Sequence, residues 1–403
     1  MKNRTVKRPN RFFYALLTGL SSIYVVLAKG HRYDGRELLR KLPRGPFLVV
    51  GNHTSFYDFL YVTRILWPRP VNFVVAAKYF RFPGLLPWLL GIAQAIPKSL
   101  FKADIRTVAR ASAVVRQGGI VGIFPEGQIS TGGITLPLPE GLGKLAAHLG
   151  VPVYAVRTMG AGFVNPPWSP KSRRGRVFSE FVLVMSGEEA ASLSVAEVDR
   201  RLRESLAVNS YDWQKRTGFA YHGSDLTLGL QNILYRCPSC GLEFTLEMDH
   251  GSIRCNNCGL ALSMDGSGHF IWPGGVSYFE HLGEWYYWQY DKAREEILRE
   301  DPFSFTGPVE LAMYKETGRG IEAVGQGEIT LTRETYRYQG TLKGELADLS
   351  FPVRTVRYVP YDTGHNFQIY QDNELYEFRP DPGLWSVKYA VLGESLHHLL
   401  QGE

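Results

Sequence analysis

The chain has 403 residues, enough for two or three domains, and its 44% hydrophobic and 21% charged fractions exclude a disordered chain and a polytopic membrane protein. Its net charge of +6 conceals a division: residues 1–236 carry 32 Lys and Arg against 14 Asp and Glu, and residues 237–403 carry 13 against 25. The basic first part calls for an anionic partner, whether nucleic acid, a phospholipid surface or a phosphorylated substrate.

In chain order, Lys2, Arg4, Lys7, Arg8 and Arg11 precede an apolar stretch, Phe12 to Ala28. Seventeen helical residues rise ~25 Å, short of the ~30 Å hydrocarbon core, so residues 1–30 are expected to anchor in or along a membrane. The rival is a cleaved signal peptide, but all four cysteines are placed as metal ligands and none remains for disulfides, which suits the cytosol. The basic flank then puts the anchor on the cytoplasmic face.

Phe47 to Val50 reads as a buried strand that ends in Gly51-Asn52. His53 follows, with Asp58 five residues on, at the carboxyl end of a strand where open α/β sheets build their sites. A carboxylate there can hold the imidazole in one tautomer and leave the other nitrogen as a general base. Val71 to Ala76 is a second strand. Phe80 to Ile96, broken by prolines, fits either a buried hairpin of short helices or a membrane-facing surface. A helix from about Asp104 to Arg116, capped by Asp104, leads to the strand Ile120–Phe124, which runs into Pro125-Glu126-Gly127. The helix 141–149, the strand 151–157, the strand 177–185 and the helix 194–208 complete an alternation expected to build a mostly parallel sheet over residues 31–235. A second Pro-Glu-Gly, residues 139–141, follows no strand.

Asn52, His53, Ser55 and Asp58 fit an NHxSxxD block, and Phe124 to Gly127 fit FPEG, with His53 and Glu126 73 residues apart. With Ile96-Pro97-Lys98 between them and Val151-Pro152-Val153 after, this region resembles the glycerolipid acyltransferase family typified by 1-acylglycerol-3-phosphate acyltransferase, over about residues 35–208. The resemblance implies transfer of an acyl group from acyl-CoA or acyl-carrier protein to the free hydroxyl of a lysophospholipid, 1-acylglycerol 3-phosphate first, giving phosphatidic acid. It makes His53 the base and Asp58 its orienting acid. Asn52, Ser55, Lys98, Glu126 and Gly127 become substrate-binding residues, and backbone N–H groups at the helix start stabilise the oxyanion. Three positions depart from the family pattern. Lys98 stands where Arg is usual, Gln128-Ile129-Ser130 replaces Thr-Arg-Ser, and Ala155 replaces a second proline. The changed cations leave room for a second reading, a catalytically inactive lipid-binding or scaffold protein that retains the fold.

In the second part, Cys237, Cys240, Cys255 and Cys258 form two C-x-x-C knuckles with fourteen residues between them. Four thiolates at this spacing suit structural Zn²⁺ in a ribbon over residues 236–272, with iron in a rubredoxin-like site as the rival. The surroundings of the ribbon are acidic, so no nucleic-acid partner is expected, and the ribbon reads as a scaffold or protein-docking module. An aromatic-rich helical connector spans residues 273–300. Short alternating segments follow (VELAMYK, GEITLT, TYRYQG, VRTVRYV, NFQIYQ, ELYEFR), with a helix over 384–400. They predict a small antiparallel β-barrel closed by a helix, a pleckstrin-homology-like module over residues 301–403.

Overall fold

The structure, a computed structural model, describes residues 6–98, 104–139, 141–249, 251–372 and 374–402. Lys2 and Arg4 of the basic flank and Glu140 of the second Pro-Glu-Gly lie outside the described residues. The chain divides into two compact units, residues 1–167 with 171–223, and residues 168–170 with 224–403.

The first unit is built on seven strands, β1 (Arg32–Asp34), β2 (Phe47–Gly51), β3 (Val71–Ala76), β4 (Ile96–Lys98), β5 (Ile120–Ile123), β6 (Val153–Met159) and β7 (Phe178–Met185). Their order is β1-β7-β6-β2-β5-β3-β4, and every neighbouring pair is parallel except β6 with β7. The expected mostly parallel sheet is therefore present, made mixed by the antiparallel β6–β7 pair. Its central strand is apolar at every position because both faces are covered. Leu48 and Val50 pack with Ala111, Val114, Ala146 and Leu202 from helices on one side. Phe47 and Val49 pack with Val62, Ile65 and Leu66 of the Asp58–Leu66 helix on the other. Asp104 caps the Ile105–Arg116 helix as expected, accepting from the N–H groups of Arg106 and Thr107.

The N-terminal helix, Arg11–Lys29, starts at an Asn10 cap and ends at Gly30 in the left-handed region (φ 57°). By length and composition it could cross a membrane, and only 22% of its apolar window is buried. It rests on the Asp58–Leu66 helix, where the Trp67 indole Nε1 donates to the Ala15 carbonyl at 3.0 Å. Residues 80–96 form short helices but not a buried hairpin: the 3₁₀ helix Ala77–Arg81 and the α-helix Leu86–Ile92 contain no buried residue. Leu85 and Trp88 are more than half exposed.

In the second unit, β8 (Leu246–Asp249), β9 (Ser252–Cys255), β10 (Ala261–Met264) and β11 (Phe270–Ile271) form an antiparallel ribbon. A second antiparallel sheet holds β12 (Ser304–Tyr314), β13 (Ile321–Thr332), β14 (Thr335–Leu342), β15 (Glu345–Pro352), β16 (Tyr361–Asp362), β17 (Asn366–Gln371) and β18 (Glu374–Pro380). Its order is β15-β14-β13-β12-β18-β17-β16. The helix Trp385–Gln401 covers it, with Tyr389 stacked on Phe367 at 4.7 Å. One predicted strand is absent: in VRTVRYV the buried valines are 353, 356 and 359, a three-residue period that suits the observed 3₁₀ turn Val353–Thr355 and not a pleat. The strand actually present, β15, has half of its residues exposed and turns Ala347, Leu349 and Phe351 to the less exposed face.

A closed ring of charge ties the ribbon knuckle to both long helices of this unit. Lys388 Nζ donates to Glu243 at 2.6 Å and to Glu296 at 2.9 Å. Arg236 Nη2 bridges the same two carboxylates from the other side. Breaking a buried ring leaves unbalanced charge in a dry site. Lys388→Ala is therefore expected to cost about 3–5 kcal/mol in equilibrium denaturation of this unit; a loss below about 1 kcal/mol would show that water reaches the ring.

Candidate active site and metal centre

β2 delivers Asn52 and His53 to the loop at its carboxyl end, and the Asp58–Leu66 helix begins at the acid. Asp58 is fully buried. Its Oδ2 accepts from the His53 ring Nδ1 at 2.9 Å and from the N–H groups of Thr54 at 2.7 Å and Ser55 at 2.8 Å. An oxygen that already takes two amide hydrogens has none to give the ring, so Nδ1 carries the hydrogen and Nε2 keeps its lone pair. The His53 side chain remains 22% exposed. Its ring stacks on Phe124 at 4.9 Å, and Phe124 stacks on Phe73 at 5.9 Å. A Cβ at Gly51 would sit 2.7 Å from the Phe124 ring, so only glycine leaves room for this stack. The Thr54 and Ser55 amides, which precede the helix start, are both spent on Asp58.

Glu126 reaches the same loop from the end of β5. It is 1% exposed, and its two oxygens accept from the N–H groups of His53 at 2.6 Å and Leu136 at 2.7 Å. The His53 carbonyl in turn accepts from the Ser130 N–H at 2.7 Å. His53 is thus held through its ring, its amide and its carbonyl. Asn52 is locked to β6: its Nδ2 donates to the Thr158 carbonyl at 2.9 Å and its Oδ1 accepts from the Thr158 N–H at 2.7 Å. From Thr158 a polar chain continues to Ser179 Oγ at 2.9 Å, to His31 Nε2 at 3.0 Å and to Arg64 at 2.9 Å. Glu126 and Asn52, expected at the substrate, therefore direct their polar groups to backbone. Ser55 is buried, its Oγ accepting from the Tyr57 N–H at 3.4 Å, and Gly127 turns the chain at φ 76°. Lys98 ends β4, the edge strand, with β5 and β3 between it and β2, and burial lowers its pKa against the pull of Asp104. Thr158 and Leu136 carried no sequence signal, and nothing marked Ser130 or Phe73 as partners of this loop, because a linear pattern does not link partners up to 106 residues apart.

Residues 32–159, which hold His53, Asp58, Glu126 and Asn52 with their direct partners, match the family model described as Acyltransferase. The segment is an acyltransferase domain. The chain is 29% identical over 135 residues to the chloroplastic 1-acyl-sn-glycerol-3-phosphate acyltransferase BAT2 of Brassica napus, covering 32% of this chain and 38% of that one. It is 28% identical over 128 residues to the human 1-acyl-sn-glycerol-3-phosphate acyltransferase beta, covering 32% and 46%. Among solved structures, the 1-acyl-sn-glycerophosphate (LPA) acyltransferase PlsC of Thermotoga maritima aligns at 20% identity and a TM-score of 0.42, over 51% of this chain and 81% of that one. The matches span less than half the length of these curated relatives.

Within the acyltransferase domain, burial outweighs the two N–H donors and the nearby Asp58 charge adds to it, pushing the Glu126 carboxyl up to about 8. Well below the ordinary carboxylate range this group is protonated in both the folded and unfolded chain and shifts no balance. Between that range and about 8, unfolding releases its proton, so rising pH favours the unfolded state. Thermal unfolding followed from pH 5 to 9 should show stability falling through this window. Glu126→Gln should flatten that fall while lowering stability by about 1–3 kcal/mol throughout, since one amide donor then faces an NH₂. Equal slopes in the two proteins would contradict the assignment.

In the second unit the sulfurs of Cys237, Cys240, Cys255 and Cys258 all lie within 4.8 Å of one another. Cys237–Cys258 and Cys240–Cys255 are both 3.8 Å apart. A tetrahedron with Zn–S bonds of ~2.3 Å has edges of ~3.8 Å, the length of these two separations, so the cluster is compatible with zinc. Purified protein is expected to carry about one zinc per chain, and chelation should unfold the ribbon; metal-free protein with a folded ribbon would overturn this.

Proposed function

We propose that the protein is a membrane-associated O-acyltransferase that moves a fatty acyl group from acyl-CoA or acyl-carrier protein to the free hydroxyl of a lysophospholipid, first 1-acylglycerol 3-phosphate. The observation that carries this reading is the His53–Asp58 contact at 2.9 Å, with the ring still partly open to solvent. His53 Nε2 takes the proton of the acceptor hydroxyl as its oxygen attacks the thioester carbonyl carbon. Asp58 stabilises the imidazolium that forms, and the tetrahedral adduct collapses with release of the thiolate, which recovers the proton from His53. Asn52 and Glu126 act through the loop, fixing where the ring points. Gly127 and Lys98 face the acceptor, with Lys98 attracting the phosphate as a point charge, while Ser55, expected there, is buried and braces the loop through its amide on Asp58. The N-terminal helix anchors the enzyme at the cytoplasmic face. The ribbon, with Zn²⁺ held by its four cysteines, and a pleckstrin-homology-like barrel serve as docking modules, without a nucleic-acid partner.

Membranes containing the protein should transfer acyl groups from acyl-CoA or acyl-carrier protein to a lysophospholipid panel. His53→Ala is expected to lower kcat roughly 10²–10⁴-fold, and Asp58→Asn to lower kcat with little change in KM. No transfer to any acceptor, or transfer unaffected by His53→Ala, would leave the inactive lipid-binding reading in its place.

A further inference from the structure

Away from the catalytic edge, the first unit carries a groove of about 620 Å³ between the N-terminal helix and the Asp58–Leu66 helix. Phe12, Leu16, Leu20, Tyr33 and Trp67 line it, and Arg64 is the one charged side chain among its lining residues. The Arg64 guanidinium lies 5.0 Å from the Tyr33 ring centroid, and that of Arg36 lies 5.9 Å from the same ring. Among the described residues, neither arginine is paired with a carboxylate, and Glu37, the acid beside Arg36 in the chain, is engaged by Lys41 at 2.9 Å. Arg64 instead donates to His31 Nδ1 at 2.9 Å. His31 is 1% exposed, and burial with the Arg64 charge pushes it down to about 3, so it brings no negative charge and remains neutral.

Two uncompensated guanidiniums on one aromatic ring, beside an apolar groove long enough for hydrocarbon, are complementary to an anionic amphiphile. We infer that this groove seats one anionic phospholipid of the bilayer, its phosphate on Arg64 and Arg36 and one acyl chain along Leu16 and Leu20. Arg64 lies six residues beyond Asp58 on the same helix, ~9 Å of rise, so the headgroup sits beside the catalytic pair and not in it. The exposed helix face that forms one wall places the groove where lipid would enter sideways: Phe12 is 72% and Leu20 62% exposed. Binding here stands independently of the acyl-transfer reading, because its readout is a lipid contact.

The test uses the full chain on phosphatidylcholine vesicles containing a small fraction of phosphatidylglycerol with a photoreactive diazirine in one acyl chain. Labelling should map to the groove residues and be competed by unlabelled phosphatidylglycerol but not by phosphatidylcholine. Arg36→Gln and Arg64→Gln should each lower it at least about fivefold. Arg40→Gln with Arg44→Gln, which removes two exposed charges from the same unit where each groove variant removes one, should leave labelling within about twofold. Leu20→Trp, filling the groove, should block labelling while vesicle binding persists, which covers the case of an arginine variant that fails to fold. Labelling that ignores Arg36 and Arg64 would overturn the site, as would an equal fall in the Arg40/Arg44 variant. So would equal labelling by a phosphatidylcholine probe, or displacement by inorganic phosphate alone.

Discussion

One oxygen of Asp58 organises the edge of the sheet where the candidate active site lies. By accepting a ring hydrogen and two backbone hydrogens at once, it closes the loop after β2 into a tight turn and sets the His53 tautomer in the same act. A neutral amide at this position could not accept from all three donors at one atom without presenting its own hydrogens nearby. The fold of the loop and the basicity of the exposed nitrogen therefore share a single physical origin.

The parallel sheet makes this possible by aligning the ends of β2, β5 and β6 on one edge. β6 supplies the Thr158 backbone that grips Asn52, and β5 leads to Glu126, which grips the His53 amide. Glu126 is held in an expensive place: burial drives its carboxyl upward although two amides point at it. Such a group costs stability and is retained where it fixes geometry, here the backbone of the residue bearing the imidazole.

Much of this arrangement is legible in the amino-acid sequence, and the part that is not has an identifiable cause. β3 falls at residues 71–76 as its apolar run indicates, and the helix after Asp104 follows from a capping residue, a local signal. His53, Asp58 and the four cysteines sit together because their spacing is short enough to survive in one loop or two knuckles. The roles of Glu126 and Asn52 were hidden, since a carboxylate or amide in a motif looks the same whether it meets substrate or backbone. β1 and β4, three residues each, are too short to show a period and exist by pairing with β7 and β3. The Val353–Val359 segment misleads because β-branched residues suggest a strand, while their burial at every third position answers to packing under the Trp385–Gln401 helix.

The division of charge along the chain follows the same logic at larger scale. The basic part carries the exposed apolar helix, the arginines around Tyr33 and the catalytic edge, all surfaces that suit anionic amphiphiles. The acidic part turns Glu243, Glu296 and Lys388 inward, in a ring closed by Arg236 from the end of the basic part. The central claim, that Asp58 holds His53 with Nε2 unprotonated and ready to accept a proton, is tested most directly by ¹⁵N spectroscopy of histidine-labelled protein assigned with a His53→Gln variant. In neutral His53 the account predicts a hydrogen on Nδ1 and a bare Nε2, a preference lost in Asp58→Asn. A hydrogen found on Nε2, or a tautomer mixture unchanged by that substitution, would contradict it.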